Sequence, residues 1–260
     1  MRRIGVAIVS LALIATACGS KGEGGSMPHT TLTVLAASSL TEAFDRIGSD
    51  FEKAHDGVTV RFSFGPSDGL AQQIQAGGPT DVFASASPTW MDAVAEDPGV
   101  RDRVDFARNR LVIVTPADDP ANVSSVDDLA RPGVKLVLAA QGVPAGDYAR
   151  EMLKNAGVST RALANVVSNE EDVKAVIQKV ILGEADAGIA YLTDVTPAVR
   201  DEIREVPIPD AVNVIATYPI AVVSSSGHSA LAADFVRYVS GSAGEHVLAS
   251  FGFLPPSRRR

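Results

Sequence analysis

Short apolar runs alternate along this chain with longer stretches in which apolar residues recur every third or fourth position. The runs at 33–37, 58–64, 81–86, 111–115, 134–139, 187–191, 203–208 and 212–223 predict strands. Helices are predicted where Leu40, Ala43, Phe44, Ile47 and Phe51 share one face, and again over Leu70, Ala71 and Ile74 and over Trp90, Met91, Val94 and Ala95. Further helical faces follow at 126–130, from Pro144 to Gly157, over Val173, Val176, Ile177, Val180 and Ile181, and over 231–239 and 243–251. Strand and helix take turns, which predicts an α/β fold with parallel, doubly wound sheets.

Polar residues mark where the helices start. Ser39 with Glu42 has the spacing of a capping box, and Ser67, after Gly65-Pro66, stands where an N-cap is expected. Pro144 suits a first helical turn, and Asn169-Glu170-Glu171-Asp172 caps the helix that begins at Val173. Unpaired N–H groups and the helix dipole can hold an oxyanion at such starts without Lys or Arg. Taken singly, Ser39 and Ser67 are caps worth about 1 kcal/mol each, and Tyr191 is an aromatic at the end of a buried strand. Their meaning depends on whether the starts converge.

The N-terminus reads differently. Met1-Arg2-Arg3 precedes an apolar run over 5–17, which is shorter than the roughly 20 residues of a spanning helix and matches a secretory leader. Ala15-Thr16-Ala17-Cys18 resembles the lipobox of bacterial lipoproteins. The expected processing removes 1–17 as signal peptide, lipidates Cys18, leaves 18–30 as a flexible tether, and anchors the protein at the outer face of the cytoplasmic membrane. Cys18 is the single cysteine, so no intrachain disulfide is available, and His29, His55, His228 and His246 have no metal-ligand spacing. The formal charge of −8 becomes −10 once Arg2 and Arg3 leave with the leader, which argues against a nucleic-acid partner. Residues 257–260 read as a disordered tail.

Five motifs, in order and spacing, carry a family resemblance: Ala36-Ala37-Ser38-Ser39-Leu40, Asp81-Val82-Phe83-Ala84-Ser85-Ala86, Val143-Pro144-Ala145-Gly146, Glu171-Asp172-Val173 and Gly188-Ile189-Ala190-Tyr191-Leu192-Thr193-Asp194. From 32 to 255 the chain resembles the molybdate-binding proteins (ModA-type) of bacterial ABC importers, which are type II periplasmic binding proteins. The resemblance implies two α/β lobes with ligand in the cleft between them, lobe 1 combining 31–110 with 218–256 and lobe 2 being 111–217. It implies oxyanion contacts from Ser39 and Ser67 on one lobe and from Ala145, Val173 and Tyr191 on the other. Molybdenum would enter only as bound molybdate, tungstate would bind as well, and an ABC permease would receive the ion. A monomer with no cofactor and no catalysis is implied. Pro66-Ser67-Asp68-Gly69 departs from the Ser/Thr-rich run usual in the family but keeps Ser67. Two other readings stand beside this one. The first is a receptor for sulfate, thiosulfate or phosphate. The second is a serine hydrolase, since Gly65-Pro66-Ser67-Asp68-Gly69 fits G-x-S-x-G and His228 or His246 follows it.

Overall fold

The computed structural model describes residues 29–257. The leader, Cys18, most of the tether and the last three residues of the tail lie outside the described residues. The first unit is a strand, β1 (Thr30–Ala37), a 3-10 turn (Ser38–Leu40) and α1 (Thr41–Ala54). Every residue of β1 from Val34 to Ala37 is buried, as a strand covered on both faces requires. β2 (Val58–Gly65), α2 (Ser67–Gln75), β3 (Val82–Ala84) and α3 (Pro88–Glu96) continue the alternation. β1 lies between β2 and β3 and runs parallel to both.

β4 (Val100–Pro116) then passes from one half of the molecule to the other. Its first part, to Arg110, pairs antiparallel with β9 (Ile215–Val223), and from Leu111 it pairs antiparallel with β7 (Ala187–Tyr191) and β8 (Ile203–Pro207). The second half is built by β5 (Leu136–Ala139), α4 (Pro144–Asn155), α5 (Ser159–Leu163), β6 (Val166–Glu170) and α6 (Val173–Ile181), with β5 parallel to both β6 and β7. α7 (Ser229–Ser240) and α8 (Ser242–Ser250) return to the first half. There Phe235 packs edge-on against Phe51 at 5.1 Å between ring centres. The strand order is β2-β1-β3-β9-β4-β7-β5-β6, with β8 beside β4.

Parallel pairing therefore holds only in the outer parts of each half. The strands that join the halves, β4 and β9, are antiparallel to their neighbours, so each sheet is mixed. Two strands differ from the sequence expectation. Residues 100–110 are strand although their charges hide it, because register shifts between Asp105 and Ala107 bury Phe106 and Ala107 side by side and break the alternation. Residues 166–170 form an edge strand where capping residues were expected, and only Asp172 caps. Conversely, 212–214 is a turn, in which the Asn213 side chain takes the place of a strand partner by bonding both Leu111 N–H (3.1 Å) and Leu111 C=O (2.8 Å). Among the described residues, no helix is long and apolar enough to cross a membrane.

Candidate functional site

Four helix starts meet where the two halves face each other. Around them lies a small cavity lined by Ala37, Ser38 and Ser39, by Gly65, Pro66, Ser67 and Ala86, and from the other half by Val143, Pro144, Ala145, Val173 and Tyr191. All five residues expected to bind an oxyanion, Ser39, Ser67, Ala145, Val173 and Tyr191, are on this wall, and each is buried.

The serines are placed for other reasons than capping. Ser39 falls inside the 3-10 turn, so α1 begins two residues later and Ser39 caps nothing; its Oγ lies 2.9 Å from the Tyr218 hydroxyl on β9. Glu42 is likewise no part of a capping box, since its carboxylate is bound by Lys174 of the opposite half at 2.8 and 2.9 Å. Ser67 is the first residue of α2, not its cap, and its Oγ accepts the Ala86 N–H at 3.0 Å. One lone pair of the Ser67 hydroxyl is thus engaged by the protein, and its hydrogen is available to the cavity.

On the other wall, α4 opens with Pro144, which has no N–H, so Ala145 is the first residue of that helix able to donate. At α6 the Asp172 carboxylate accepts the Ala175 N–H at 2.9 Å, leaving the Val173 N–H without an intrahelical partner. Among the described residues, the buried Tyr191 hydroxyl has no hydrogen-bond partner. Burial, the largest cause, raises its pKa well above the ordinary tyrosine value, and neighbouring Tyr218 and Asp194 add to this, so it stays protonated and able to donate. A buried polar group without a partner costs stability, and this one belongs to a residue that lines the cavity.

Among the described residues, no charged side chain lines this wall. Asp68 and Asp172, adjacent in sequence to site residues, are not among the residues lining it. Nor is any histidine, so Ser67 lacks the base that the hydrolase reading requires. His228 instead sits against Asp81, 3.2 Å from its Oδ1. Among the described residues there is also no cluster of His, Cys, Asp or Glu able to hold a metal ion. The wall is a set of neutral donors.

Hydrogen bonds also bridge the two halves. Besides Lys174 and Glu42, Trp90 Nε1 donates to the Gly142 carbonyl at 2.8 Å and Asn109 Nδ2 donates to Thr193 Oγ1 at 2.8 Å. Sequence reasoning missed Trp90, Lys174, Asn109 and Tyr218, for their partners are far away in the chain. Lys174 also faces Asp194 at 3.6 Å, whose side chain is fully buried three residues beyond Tyr191. Burial outweighs Lys174 and pushes Asp194 to about 6. Its native pKa is raised, so its contribution is present below the unfolded value near 4 and is lost as pH rises toward 6, by about 3 kcal/mol. Asp194→Asn keeps an acceptor for the Tyr191 N–H. The variant should therefore gain stability relative to the parent between pH 4 and 7, as read by thermal unfolding; equal pH profiles for the two would contradict the burial argument.

Comparison with known proteins adds context. Residues 32–254 match the family model described as bacterial extracellular solute-binding protein. The molybdate-binding protein ModA of Mycobacterium tuberculosis is 38% identical over 266 residues, covering 98% of this chain and 100% of the relative. The periplasmic molybdate-binding protein of Azotobacter vinelandii superposes with a TM-score of 0.75 at 20% identity, covering 87% of this chain and 100% of that one. The sulfate-binding protein SubI of Mycobacterium tuberculosis superposes with a TM-score of 0.77 at 18% identity, covering 88% of each chain. At such identities the last two establish the fold alone.

Proposed function

Because the chain belongs to the bacterial extracellular solute-binding proteins, a family of binding proteins and not of enzymes, we propose that its cleft captures molybdate for an ABC importer. The observation that carries this reading is a wall of neutral groups that can all donate. Ser39, Ser67 and Tyr191 offer hydroxyl hydrogens and Ala145 and Val173 offer backbone N–H groups, with no carboxylate or imidazole among them. A fully deprotonated dianion suits such a set. Hydrogenphosphate needs an acceptor for its own hydrogen, and an unmatched pair of donors costs affinity.

Sulfate is also a deprotonated tetrahedral dianion, so hydrogen-bond polarity alone does not reject it. Size does: the donors sit on helix starts fixed by their strands, and Mo–O bonds are longer than S–O bonds. Tungstate, nearly the size of molybdate, passes the same filter. The two lobes, 31–110 with 218–256 and 111–217, close about the paired strands β4 and β9, and the bridges from Glu42 to Lys174 and from Trp90 to Gly142 hold the closed form. The protein acts outside the cytoplasm, as its family does, and in this proposal works as a monomer tethered through lipid on Cys18 that hands its ion to the permease.

Calorimetric titration of the chain from Gly19 onward with molybdate, tungstate, sulfate and phosphate tests the substrate. Tight binding of the first two with neglect of the others is expected; preference for sulfate or phosphate would reassign it. For the anchor, Cys18→Ala should move the protein from the membrane fraction to the soluble fraction, and persistent membrane association would overturn lipid attachment there.

A further inference from the structure

We propose that Asn109 and Tyr218, neither of which reaches the cavity, fix the direction of the Ser39 hydroxyl and are thereby determinants of selectivity against protonated oxyanions. The inference rests on the oxyanion reading of the cavity and deepens it.

Asn109 is fully buried, and its Oδ1 accepts the Arg110 N–H at 2.9 Å, which assigns the two ends of the amide. Its Nδ2 therefore has two hydrogens to place. One goes to Thr193 Oγ1 at 2.8 Å and the other points toward the Tyr218 hydroxyl oxygen at 3.4 Å. Tyr218 is itself fully buried, so its own hydrogen needs an acceptor, and Ser39 Oγ at 2.9 Å supplies one. In the reverse arrangement Tyr218 would accept from both neighbours and bury its hydrogen unpaired, at a cost that the observed geometry avoids. Burial also keeps Tyr218 protonated, its pKa raised chiefly by desolvation.

Direction thus runs from Asn109 to Tyr218 to Ser39. With one lone pair of Ser39 Oγ committed to Tyr218, the hydroxyl hydrogen turns to the cavity that Ser39 lines. Ser67 is set the same way by the Ala86 N–H. For Ser67 the controlling group is backbone and cannot be varied; for Ser39 it is a side chain and can. Asn109 and Tyr218 also lie on β4 and β9, the strands that join the lobes, and the Asn109 bond to Thr193 reaches the segment just after Tyr191. Ser39 is therefore oriented by the crossing itself.

Tyr218→Phe removes the oxygen alone. Calorimetry of the parent, Tyr218→Phe, Ser39→Ala and the double variant with molybdate, and with phosphate at mildly alkaline pH, reads the effect. Tyr218→Phe should weaken molybdate about tenfold, while the gap between molybdate and phosphate narrows, since the Ser39 hydroxyl is then free to rotate and present a lone pair to the cavity. In the Ser39→Ala background the same change should alter molybdate affinity by less than about twofold, because Tyr218 acts through Ser39. An undiminished effect in that background, phosphate staying as far behind molybdate as in the parent, or no effect at all would overturn the proposal. A parent that binds no oxyanion would overturn the reading of the cavity instead.

Discussion

Gly146→Ala is expected to lower stability by about 3 kcal/mol and to weaken oxyanion binding about a hundredfold or more. Gly146 lies in the first turn of α4, directly after Ala145, where that helix is seated on the end of β5. A Cβ there would stand 2.1 Å from the Ala140 carbonyl oxygen and 2.4 Å from that of Ala139. Both are backbone atoms and cannot swing aside as a side chain could. The Arg150 guanidinium fastens the same junction, bonding the Ala139 carbonyl at 2.9 Å and the Gly146 carbonyl at 2.8 Å. Relief of the clash must lift the start of α4 and take the Ala145 N–H out of hydrogen-bond range, for such bonds weaken steeply with distance and angle. Thermal unfolding and calorimetry on the purified variant measure the two effects. Wild-type behaviour in both would mean that α4 is not seated as described.

Tyr191→Phe and Ser39→Ala should each cost about 1.5–3 kcal/mol of molybdate binding, the range for a hydrogen bond to a charged group. They should differ in the unliganded protein. The Tyr191 hydroxyl has no partner there, so removing it relieves a buried unsatisfied group and should raise stability by about 1 kcal/mol. Ser39→Ala breaks the bond with Tyr218 and should lower stability by a similar amount. Opposite signs in unfolding with the same sign in binding are the signature of a group held in reserve for a ligand. If both variants bind molybdate as tightly as the parent, the cavity assignment fails.

Much of this site could be read from the chain because its donors belong to local signals. The start of α4 at Pro144 and the Asp172 cap of α6 are set by neighbours in sequence, and both stand where their motifs place them. The fold class followed from alternating runs for the same reason. What stayed hidden was set at long range. Ser39 looked like a cap because Tyr218, its true partner, lies 179 residues away, and Glu42 looked like half of a capping box because Lys174 lies 132 residues away. β4 was half hidden because a bulge put Phe106 and Ala107 on the buried side together, which no period of two can reveal. Pro66, which departs from the family pattern, proves to cap α2 from its backbone, its carbonyl accepting the Leu70 N–H at 3.0 Å. It lines the cavity and offers no donor there.

Molybdenum's own anomalous scattering tests the central claim most directly, in crystals grown with molybdate. One strong peak is expected between the lobes, with molybdate oxygens within hydrogen-bond distance of Ser39, Ser67, Ala145, Val173 and Tyr191 and no carboxylate touching them. A peak elsewhere in the molecule, or one held by Asp68 or Asp172, would contradict it.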